Sequence, residues 1–492
     1  MLASIVTTMI RLRLVVVVIA LALCGAGIYA AKHLSVDAFP DVTNIQVQVA
    51  TVAIGRSPEE MERLVTVPVE IAMTGLPGLV EMRSMNKSGL SLITLVFTDK
   101  TDVYFARQLV MERIIDVTPR LIPGITPVLG PVSTGLGEVY QYTIEHPSDG
   151  KRALTTEELM TRRTLQDWVV RPMLRSIRGI AEINSIGGHV KEYQVYVDPN
   201  KLRHYDLTLT EVDHALASNN ANASGNILSL HYEQYLIRGV GLIATLEDIR
   251  NIVLREMDGV PIYVRDVADV VFGGEVRQGA GIKNGDTEAV VGIVMMLRGG
   301  NAKEIVGRIK EKVAEINERG LLPDGLQIVP FYDRTVMVDA ALNSVYKVLI
   351  EALIFVIIVM FICLGHLRVS LVVCATLIIT PLITFMIMNY FGIPANLMSL
   401  GGLTIAIGLM VDPTVVVVEN IFLRLSHAPS GEPKIVTIAK AAAEVGAPVI
   451  YGIIIIVLVF LPLITLEGME GKMFSPLAVT ISIALLVSLV IS

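Results

Sequence analysis

Long apolar runs lie at both ends of the 492-residue chain, and shorter alternating or amphipathic patterns fill the region between them. A predominantly apolar run of about 20 residues has the length of a helix that crosses a bilayer. The apolar runs predict six membrane spans, at Leu14–Ala31, Leu349–Leu364, Leu371–Phe391, Met398–Phe422, Pro448–Leu466 and from Ser475 to the end of the chain. The pattern therefore predicts a membrane α-helical protein with a large water-soluble region between its first and second spans.

The first apolar run has a second interpretation, a cleaved signal peptide. Its apolar core is longer than is usual for a signal peptide, and the bulky Leu23 precedes Cys24, where lipoprotein processing needs a small residue. A retained anchor over residues 1–35 is therefore favoured. The last run stops at Ser492 while it is still apolar, which predicts that the chain is cut or is a fragment.

Basic residues in the short loops predict the orientation in the membrane. The residues on one side are Arg11, Arg13, His366, Arg368, Arg424, Lys434 and Lys440. On the other side Lys472 stands close to Glu467 and Glu470. Because basic loops stay in the cytoplasm, we expect a cytoplasmic N-terminus and residues of about 33–345 outside.

The region after the first span has the pattern of an α+β unit. It predicts a strand at Ile45–Ala53, a helix that begins at Ser57, strands at Leu79–Met85 and Ser91–Phe97, and a helix at Thr101–Val117. Ser57 can cap its helix, and the proline and two glutamates that follow suit a first helical turn.

A second unit repeats this pattern. Gly78–Ser84 resembles Gly179–Ser185, and each segment follows an amphipathic helix and precedes an alternating strand. Two split βαβ (ferredoxin-like) repeats are predicted. We expect the first at 36–134, the second at 135–335 with an insertion at about 208–270, and the remaining spans at 336–492.

Composition and charge exclude several classes of protein. Hydrophobic residues make up 53% of the chain and charged residues 18%, where a soluble domain has about 25% charged residues. The net charge is −7 and no basic stripe is present, so nucleic acid is not an expected partner. An enzyme is not predicted, because the chain has no nucleophile elbow, phosphate-binding loop or metal-ligand spacing.

Two carboxylates lie within one predicted span. Asp412 is near the middle of Met398–Phe422, and Glu419 follows two helical turns later, about 10 Å deeper toward the cytoplasm. A carboxylate at mid-bilayer costs roughly 2.5–3.5 kcal/mol. Such a group usually faces a bundle interior or a wet cavity, and desolvation favours its neutral form, so it can load and release protons. The alternatives are a buried Asp412 locked to a polar partner and a solvated helix-end Glu419.

The same span contains helix-packing and helix-loosening residues. Gly401, Gly402 and Gly408 permit close helix approach, and Pro413 removes a backbone donor directly after the aspartate. Glycines alone are equally typical of ordinary helix packing. Their combination with a membrane carboxylate predicts a helix whose acid titrates while its packing changes.

Seven motifs along the chain resemble one family, the heavy-metal efflux (CusA/CzcA-type) branch of the resistance-nodulation-division (RND) permeases. The motifs are Asp37–Asp41, Asp167–Pro172, Val197–Leu202, Glu233–Gly239, Pro330–Thr335, Gly401 through Asn420, and Glu470–Phe474. The resemblance runs from end to end. Such permeases are about twice as long as this chain, with two six-helix halves, and this chain matches the N-terminal half.

The resemblance implies a homotrimeric permease of the bacterial inner membrane that exports heavy-metal cations by proton antiport. It implies a periplasmic adaptor protein and an outer-membrane channel as partners, and it identifies the two repeats as porter subdomains and the insertion as a docking piece. Asp412 falls on the proton-relay position of the fourth helix, with Glu419 as a second relay candidate. No bound cofactor is implied, since the metal ion and protons are transported.

The resemblance leaves the metal open. Divalent-cation members carry a further acid where this chain has Ala406, which cannot titrate, and this weakens a zinc, cobalt or cadmium assignment. Met398 and Met410 match places where copper and silver members carry methionines, but they lie on different faces of the helix and methionine commonly fills core gaps. Leu485 stands where a copper-type relay methionine would be expected.

Three other functions remain as alternatives. An RND exporter of drugs or lipids would share the fold. A SecD-like protein-translocation subunit also has six spans, one large outer domain and an aspartate on the fourth span, but the motifs outside the membrane fit it poorly. A receptor with a periplasmic sensor gives no reason for an acid at mid-membrane.

Overall fold

The computed structural model describes residues 2–257, 259–277, 279–364, 367–427 and 433–491. His366 and Ser492, both used in the sequence predictions, lie outside these residues. The helices are α1 (Leu2–Arg11), α2 (Arg13–His33), α3 (Pro58–Met61), α4 (Val67–Met73), α5 (Val103–Val117), α6 (Thr156–Leu165), α7 (Arg171–Arg175), α8 (Pro199–His204), α9 (Leu209–Ser218), α10 (Leu246–Arg250), α11 (Val264–Val267), α12 (Ala302–Glu318), α13 (Arg334–Leu364), α14 (Leu367–Tyr390), α15 (Leu397–Ser426), α16 (Lys434–Ile464) and α17 (Gly468–Ile491).

The strands form six sheets within the described residues. They are β1 (Ile45–Val52), β2 (Leu79–Lys87), β3 (Leu90–Phe97), β4 (Val128–Leu129), β5 (Glu138–Glu145), β6 (Ile180–Ile186), β7 (Lys191–Val197), β8 (Ala223–Leu230), β9 (Glu233–Gly239), β10 (Val253–Met257), β11 (Val260–Tyr263), β12 (Ala268–Gly274), β13 (Gly281–Lys283), β14 (Thr287–Ala289), β15 (Val291–Met296) and β16 (Gln327–Asp333). Two π-helical segments, Glu62–Thr66 and Gln166–Val170, join α3 to α4 and α6 to α7.

Six helices of the described chain, α2 and α13 to α17, are long and apolar enough to cross a membrane. This confirms the six predicted spans. Three of them start at least seven residues earlier than predicted, α13 at Arg334, α16 at Lys434 and α17 at Gly468. The reason is that hydropathy marks only the apolar part of a helix, whereas backbone hydrogen bonding continues through the polar turns before it.

Helix α15 lies at the centre of this membrane unit, in contact with α13, α14, α16 and α17. Helix α2 packs against α14, and α1 packs against α16. The larger interhelical core is an apolar cluster that includes Leu403, Ile407 and Ile481. A second cluster, which includes Val338 of α13 and Leu400 of α15, lies at the outer end of the helices. The helix that carries the predicted carboxylates therefore packs against four of the other five membrane helices.

The first sheet has the order β2-β3-β1-β4, with α3–α4 and α5 as its crossover helices. This is the predicted βαββαβ unit. Ser57 caps α3 as predicted: its side chain accepts from the Glu60 amide, and the Glu60 carboxylate accepts from the Ser57 amide at 2.9 Å. Valines 47 and 49 of β1 face the helices and are buried with Ala106 and Val110 of α5.

The second sheet has the order β16-β5-β15-β6, which is the same arrangement with one interruption. Both repeats place a π-helical segment in their first crossover, and both begin the next strand after a glycine with positive φ, Gly78 at 75° and Gly179 at 101°. At Gly78 a side chain is disfavoured by the positive φ and also by contact, because an added Cβ would lie 2.8 Å from the Thr101 hydroxyl. The two ferredoxin-like repeats therefore share backbone features as well as the sequence similarity between Gly78–Ser84 and Gly179–Ser185.

The interruption forms a module with its own core. Strand β7 pairs with β12 from Lys191↔Gly274 to Val197↔Ala268, and the core beneath them contains Leu202, Val212 and Val267. The predicted insertion of 208–270 lies within this module, whose pairing strands extend further on both sides. The alternating strand predicted after Gly179–Ser185 as part of the second repeat is β7, which pairs instead with β12 in this module. Alternation alone does not show which sheet a strand joins.

Candidate functional site

Helix α15 begins at a firm cap at the outer end of the membrane unit, the end that carries the two sheets. The Asn396 side chain is buried and accepts from the amides of Met398 at 3.0 Å and Ser399 at 2.9 Å. The Ser399 hydroxyl in return accepts from the Asn396 amide at 2.9 Å. This cap fixes where the helix starts and hence which side chains share each of its faces.

One face of α15 is packed against neighbouring helices. We name it the packed face, defined by Gly402, Ala406, Met410 and Thr414, all of which are buried. An added Cβ at Gly402 would lie 2.7 Å from the Leu477 carbonyl oxygen of α17, so the two backbones approach too closely for any side chain. Gly402 therefore has the close-packing role that its sequence predicts.

A second face of α15 has no neighbouring helix within the described part of the chain. We name it the open stripe, defined by Gly401, Ile405, Gly408, Asp412, Val416 and Glu419. These residues recur every three or four positions, which places them on one side of the helix. An added Cβ at Gly401 or Gly408 would meet no described atom within 4 Å.

Both predicted carboxylates lie on the open stripe. The side chains of Asp412 and Glu419 are exposed, and among the described residues neither has a hydrogen-bond or ion-pair partner. We expected Asp412 to face the interior of the helical bundle, but in this chain it does not. The packed face of α15 points into the bundle interior, and Asp412 lies on a different side of the helix. The alternative in which Asp412 is locked to a polar partner within this chain is also not what the structure shows.

Pro413 lies inside α15, where the helix continues through it to Ser426. At the cytoplasmic end predicted from charge, the Arg424 guanidinium binds the Glu444 carboxylate of α16 at 2.6 Å and 3.1 Å. Asn420 donates to the Ala441 carbonyl at 2.8 Å. These contacts hold the end of α15 against α16, directly after Glu419 in the chain. Sequence analysis used Arg424 only for orientation, because nothing local to it indicates a partner 20 residues away.

The start of α13 is held by a buried cation, unlike the exposed Arg424. Arg334, 5% exposed, binds Asp37 at 2.7 Å and donates to the Leu136 carbonyl, so it joins the chain after α2 to the second sheet. Its neighbour Asp333 is half-buried. Burial opposes ionisation there, but hydrogen bonds from Lys310 and Thr335 outweigh it and hold the pKa of Asp333 below its usual value.

The candidate metal-binding methionines do not meet. Met398 is half-buried near the start of α15, whereas Met410 is buried in the interhelical core together with Leu485. No group of three or more His, Cys, Asp or Glu side chains in the described residues is arranged to hold a metal ion. The described chain therefore offers a titratable helix face and no metal-ligand cluster.

The membrane unit, the paired βαββαβ units and the central acid-bearing helix together define a membrane permease of the RND type. The chain belongs to the AcrB/AcrD/AcrF family, whose model matches residues 5–492. It is similar to the cobalt-zinc-cadmium resistance protein CzcA of Cupriavidus metallidurans, with 43% identity over 500 residues, 100% of this chain and 47% of that protein. It is also similar to the cation efflux system protein CusA of Escherichia coli K12, with 38% identity over 477 residues, 95% of this chain and 45% of that protein.

A solved structure agrees with these relatives. The crystal structure of a heavy metal efflux pump superimposes with a TM-score of 0.87 at 33% identity, over 100% of this chain and 47% of that one. The resemblance to the heavy-metal efflux branch is confirmed. The chain spans about half the length of the proteins that it matches.

Proposed function

We propose that this chain is part of a proton-driven antiporter that exports heavy-metal cations. The observation that carries the proposal is the open stripe, whose two carboxylates, Asp412 and Glu419, have no partner among the described residues although they lie on a central helix of the membrane unit. Relatives named for cation efflux and for cobalt, zinc and cadmium resistance support the class of cargo. The metal ion is cargo here, and no resident cofactor is part of the proposal.

The open stripe supports a packing partner beyond this chain. A charged carboxylate that faces lipid costs roughly 2.5–3.5 kcal/mol, so a stable protein covers it with a polar or small-residue helix face. Gly401 and Gly408 leave room for close approach of such a helix. We propose that a second six-helix set supplies it, in line with the length of the relatives.

In this mechanism Asp412 switches the packing of α15. When a proton neutralises Asp412, the attraction between the stripe and polar groups opposite it is lost, and α15 moves relative to its partner. Glu419, about 10 Å further along the same stripe, receives or supplies the proton at the cytoplasmic side. The two sheets then alternate between open and closed clefts, so that Asp412 acts on the conformation and does not bind the cargo.

The extramembrane module supports assembly as a homotrimer. Strands β8 and β9 form a two-stranded hairpin whose β9 side chains are all exposed, including Tyr235, Leu236 and Ile237. An isolated hairpin of this kind is marginally stable in water, and exposed apolar side chains mark interaction surfaces. We propose that a neighbouring protomer receives it.

The remaining partners and the location follow from the same proposal. The permease lies in the bacterial inner membrane with its N-terminus in the cytoplasm and residues of about 33–345 in the periplasm, as the loop charges predict. In the periplasm, the two sheet units form the porter subdomains. The module that contains β7 and β12 forms the docking region. A periplasmic adaptor protein and an outer-membrane channel complete the export path.

The test uses Asp412→Asn in the complete protein that carries this chain. The amide keeps the size of the side chain and cannot gain or lose a proton, so we expect trimer assembly to persist and proton-driven metal export from membrane vesicles to stop. Asp116→Asn, the same change on the exposed face of α5, is the matched control and should export normally. Normal export by Asp412→Asn would contradict the proposal, and export of drugs with no effect on metals would reassign the cargo.

A further inference from the structure

Lys472 is a membrane-helix residue that contacts the first sheet unit. It lies at the outer start of α17, five residues before Leu477, the residue that α15 contacts at Gly402. Its ammonium group is 2.6 Å from the Asp99 carboxylate, 3.1 Å from the Thr43 carbonyl oxygen and 3.3 Å from the Asn44 side-chain oxygen. Three acceptors match the three donors of a lysine ammonium group.

The acceptors of Lys472 lie at one end of the two central strands of the first sheet. Asn44 directly precedes β1, and Asp99 follows β3 by two residues. The two strands are paired at this end, where Ile45 is opposite Phe97. A displacement of Lys472 would therefore act on β1 and β3 together, and so on the sheet as a unit.

The same short segment is held from the second sheet unit. Arg298 follows β15 and donates to the Thr43 carbonyl at 2.9 Å and to the Asn44 carbonyl at 3.0 Å, with Asp41 at 3.6 Å. The Thr43 carbonyl thus accepts from a cation on α17 and from a cation on the second sheet. We name this site the Thr43 junction, defined by Thr43, Asn44, Asp99, Arg298 and Lys472.

Burial of its two cations distinguishes the Thr43 junction from ordinary surface ion pairs, while its Asp99 carboxylate is 45% exposed. The Lys472 and Arg298 side chains are each 19% exposed. By contrast, Lys347 on α13 is 77% exposed and lies 3.9 Å from Glu351. Hydrogen bonds from shielded cations to carboxylate and carbonyl oxygens are short and resist displacement, whereas exposed pairs contribute little.

We infer that Lys472 is a positioning residue that transmits the movement of α15 to both sheet units through the Thr43 junction. The route is continuous: α15 contacts α17 at Gly402 and Leu477, and α17 carries Lys472 to the segment that both sheets share. This inference rests on the proposed function, because it assumes that α15 moves when Asp412 is protonated. It assigns a role to the Glu470–Phe474 motif, which the proton relay does not use.

The test compares variants of the complete protein in reconstituted vesicles with an imposed proton gradient and a metal such as Zn²⁺ or Cu⁺. Lys472→Met keeps the side-chain length and removes the charge. We expect the maximal export rate to fall about tenfold, within the range of coupling residues, while the metal concentration for half-maximal export and the thermal midpoint stay unchanged. Lys347→Met, the same change on an exposed ion pair, should export at the normal rate.

Two further variants test whether the effect of Lys472→Met on export comes from losing the cation that binds the Thr43 junction. Lys472→Arg should restore most of the rate, because a guanidinium can reach the same acceptors. Adding Asp99→Asn to Lys472→Met should cost nothing more, since the pair is already broken. Failure of Lys472→Arg to restore export, with its fold intact, would count against the inference.

Failure of the inference and failure of the proposed function are distinguishable. If Asp412→Asn stops export and Lys472→Met exports normally, the junction does not transmit the movement and the inference is wrong. If Lys472→Met lowers the thermal midpoint or trimer yield in step with export, its role is structural and the inference is again wrong. If Asp412→Asn exports normally, the proposed function itself fails.

Discussion

The packed face and the open stripe of α15 belong to the same 30-residue helix and both contain glycine, yet their surroundings differ. Gly402 on the packed face touches the backbone of α17, whereas Gly401, one residue earlier, faces open space. Met410 is buried in the core, whereas Asp412, two residues later, is exposed. A shift of one or two positions along the helix therefore decides whether a residue is structural or available to a partner.

Under the proposed function, this arrangement leaves Asp412 able to gain and lose a proton. Polar groups on the packed face would need partners inside the bundle, and those partners would fix their ionisation. On the open stripe, the proposed partner helix would supply the groups around Asp412, and these groups would change as α15 moves. Substitutions on each face test whether the two faces differ in this way.

Gly402→Ala should have the largest effect on stability. The new methyl group would meet a backbone carbonyl that cannot rotate away, so α15 and α17 must separate, at a cost of about 3 kcal/mol, the upper end for overpacking. Thermal unfolding of the 492-residue chain in detergent measures this. Gly401→Ala is the control and should leave the midpoint unchanged; equal losses in both variants would show that the two faces do not differ.

Met410→Ala should destabilise the chain by about 2 kcal/mol, the lower end of the range for buried Met→Ala. The value is at the lower end because lipid rather than water receives the side chain when the helices separate. The same thermal measurement applies, with Val416→Ala on the open stripe as its control. A midpoint that does not move would mean that the core around Met410 collapses to fill the cavity.

Gly408→Ala should affect the stability of the complete protein but not that of the 492-residue chain. In the 492-residue chain we expect no measurable change, since no described atom lies near the new methyl group. In the complete protein a helix packed on the stripe would be displaced, and the thermal midpoint should fall by the equivalent of about 1 kcal/mol, a typical effect for one substitution at a packed site. Identical behaviour in the two proteins would remove the case for a covering helix.

Thr414→Val should have the smallest effect. The Thr414 hydroxyl is buried and donates to the Met410 carbonyl at a long 3.4 Å, and valine has nearly the same shape. We expect a loss below about 0.5 kcal/mol, the lower end for an intramolecular hydrogen bond. A much larger loss would indicate that this hydrogen bond, and not shape alone, holds the packed face together.

Local signals predicted most of the elements. The strand predicted at Ile45–Ala53 is Ile45–Val52, and the one predicted at Ser91–Phe97 is Leu90–Phe97. These elements are set by side-chain alternation and capping, which act over a few residues. The early starts of α13, α16 and α17 and the pairing of β7 with β12 were missed, because they depend on backbone continuity and on partners far along the chain.

For the candidate site, the sequence identified the residues but not their arrangement. It singled out Asp412, Glu419 and the glycines because a charge or a missing side chain in an apolar run is unusual in itself. It could not distinguish Gly401 from Gly402, since the direction in which each faces depends on how α15 is rotated against α17. It gave no signal for Arg424 with Glu444 or for Lys472 with Asp99, whose partners come from other elements.

Local sequence patterns were enough to predict six apolar helices in this chain, two repeated α+β units and an acid within the fourth membrane helix. Those features follow from hydrophobicity, periodicity and charge, which are properties of neighbouring residues. Only the tertiary structure decided which face of α15 is packed, which is open, and where Lys472 and Arg298 meet at Thr43. These contacts join residues far apart in the chain, such as Lys472 and Thr43, which are 429 positions apart, and they exist only once folding has brought those residues together.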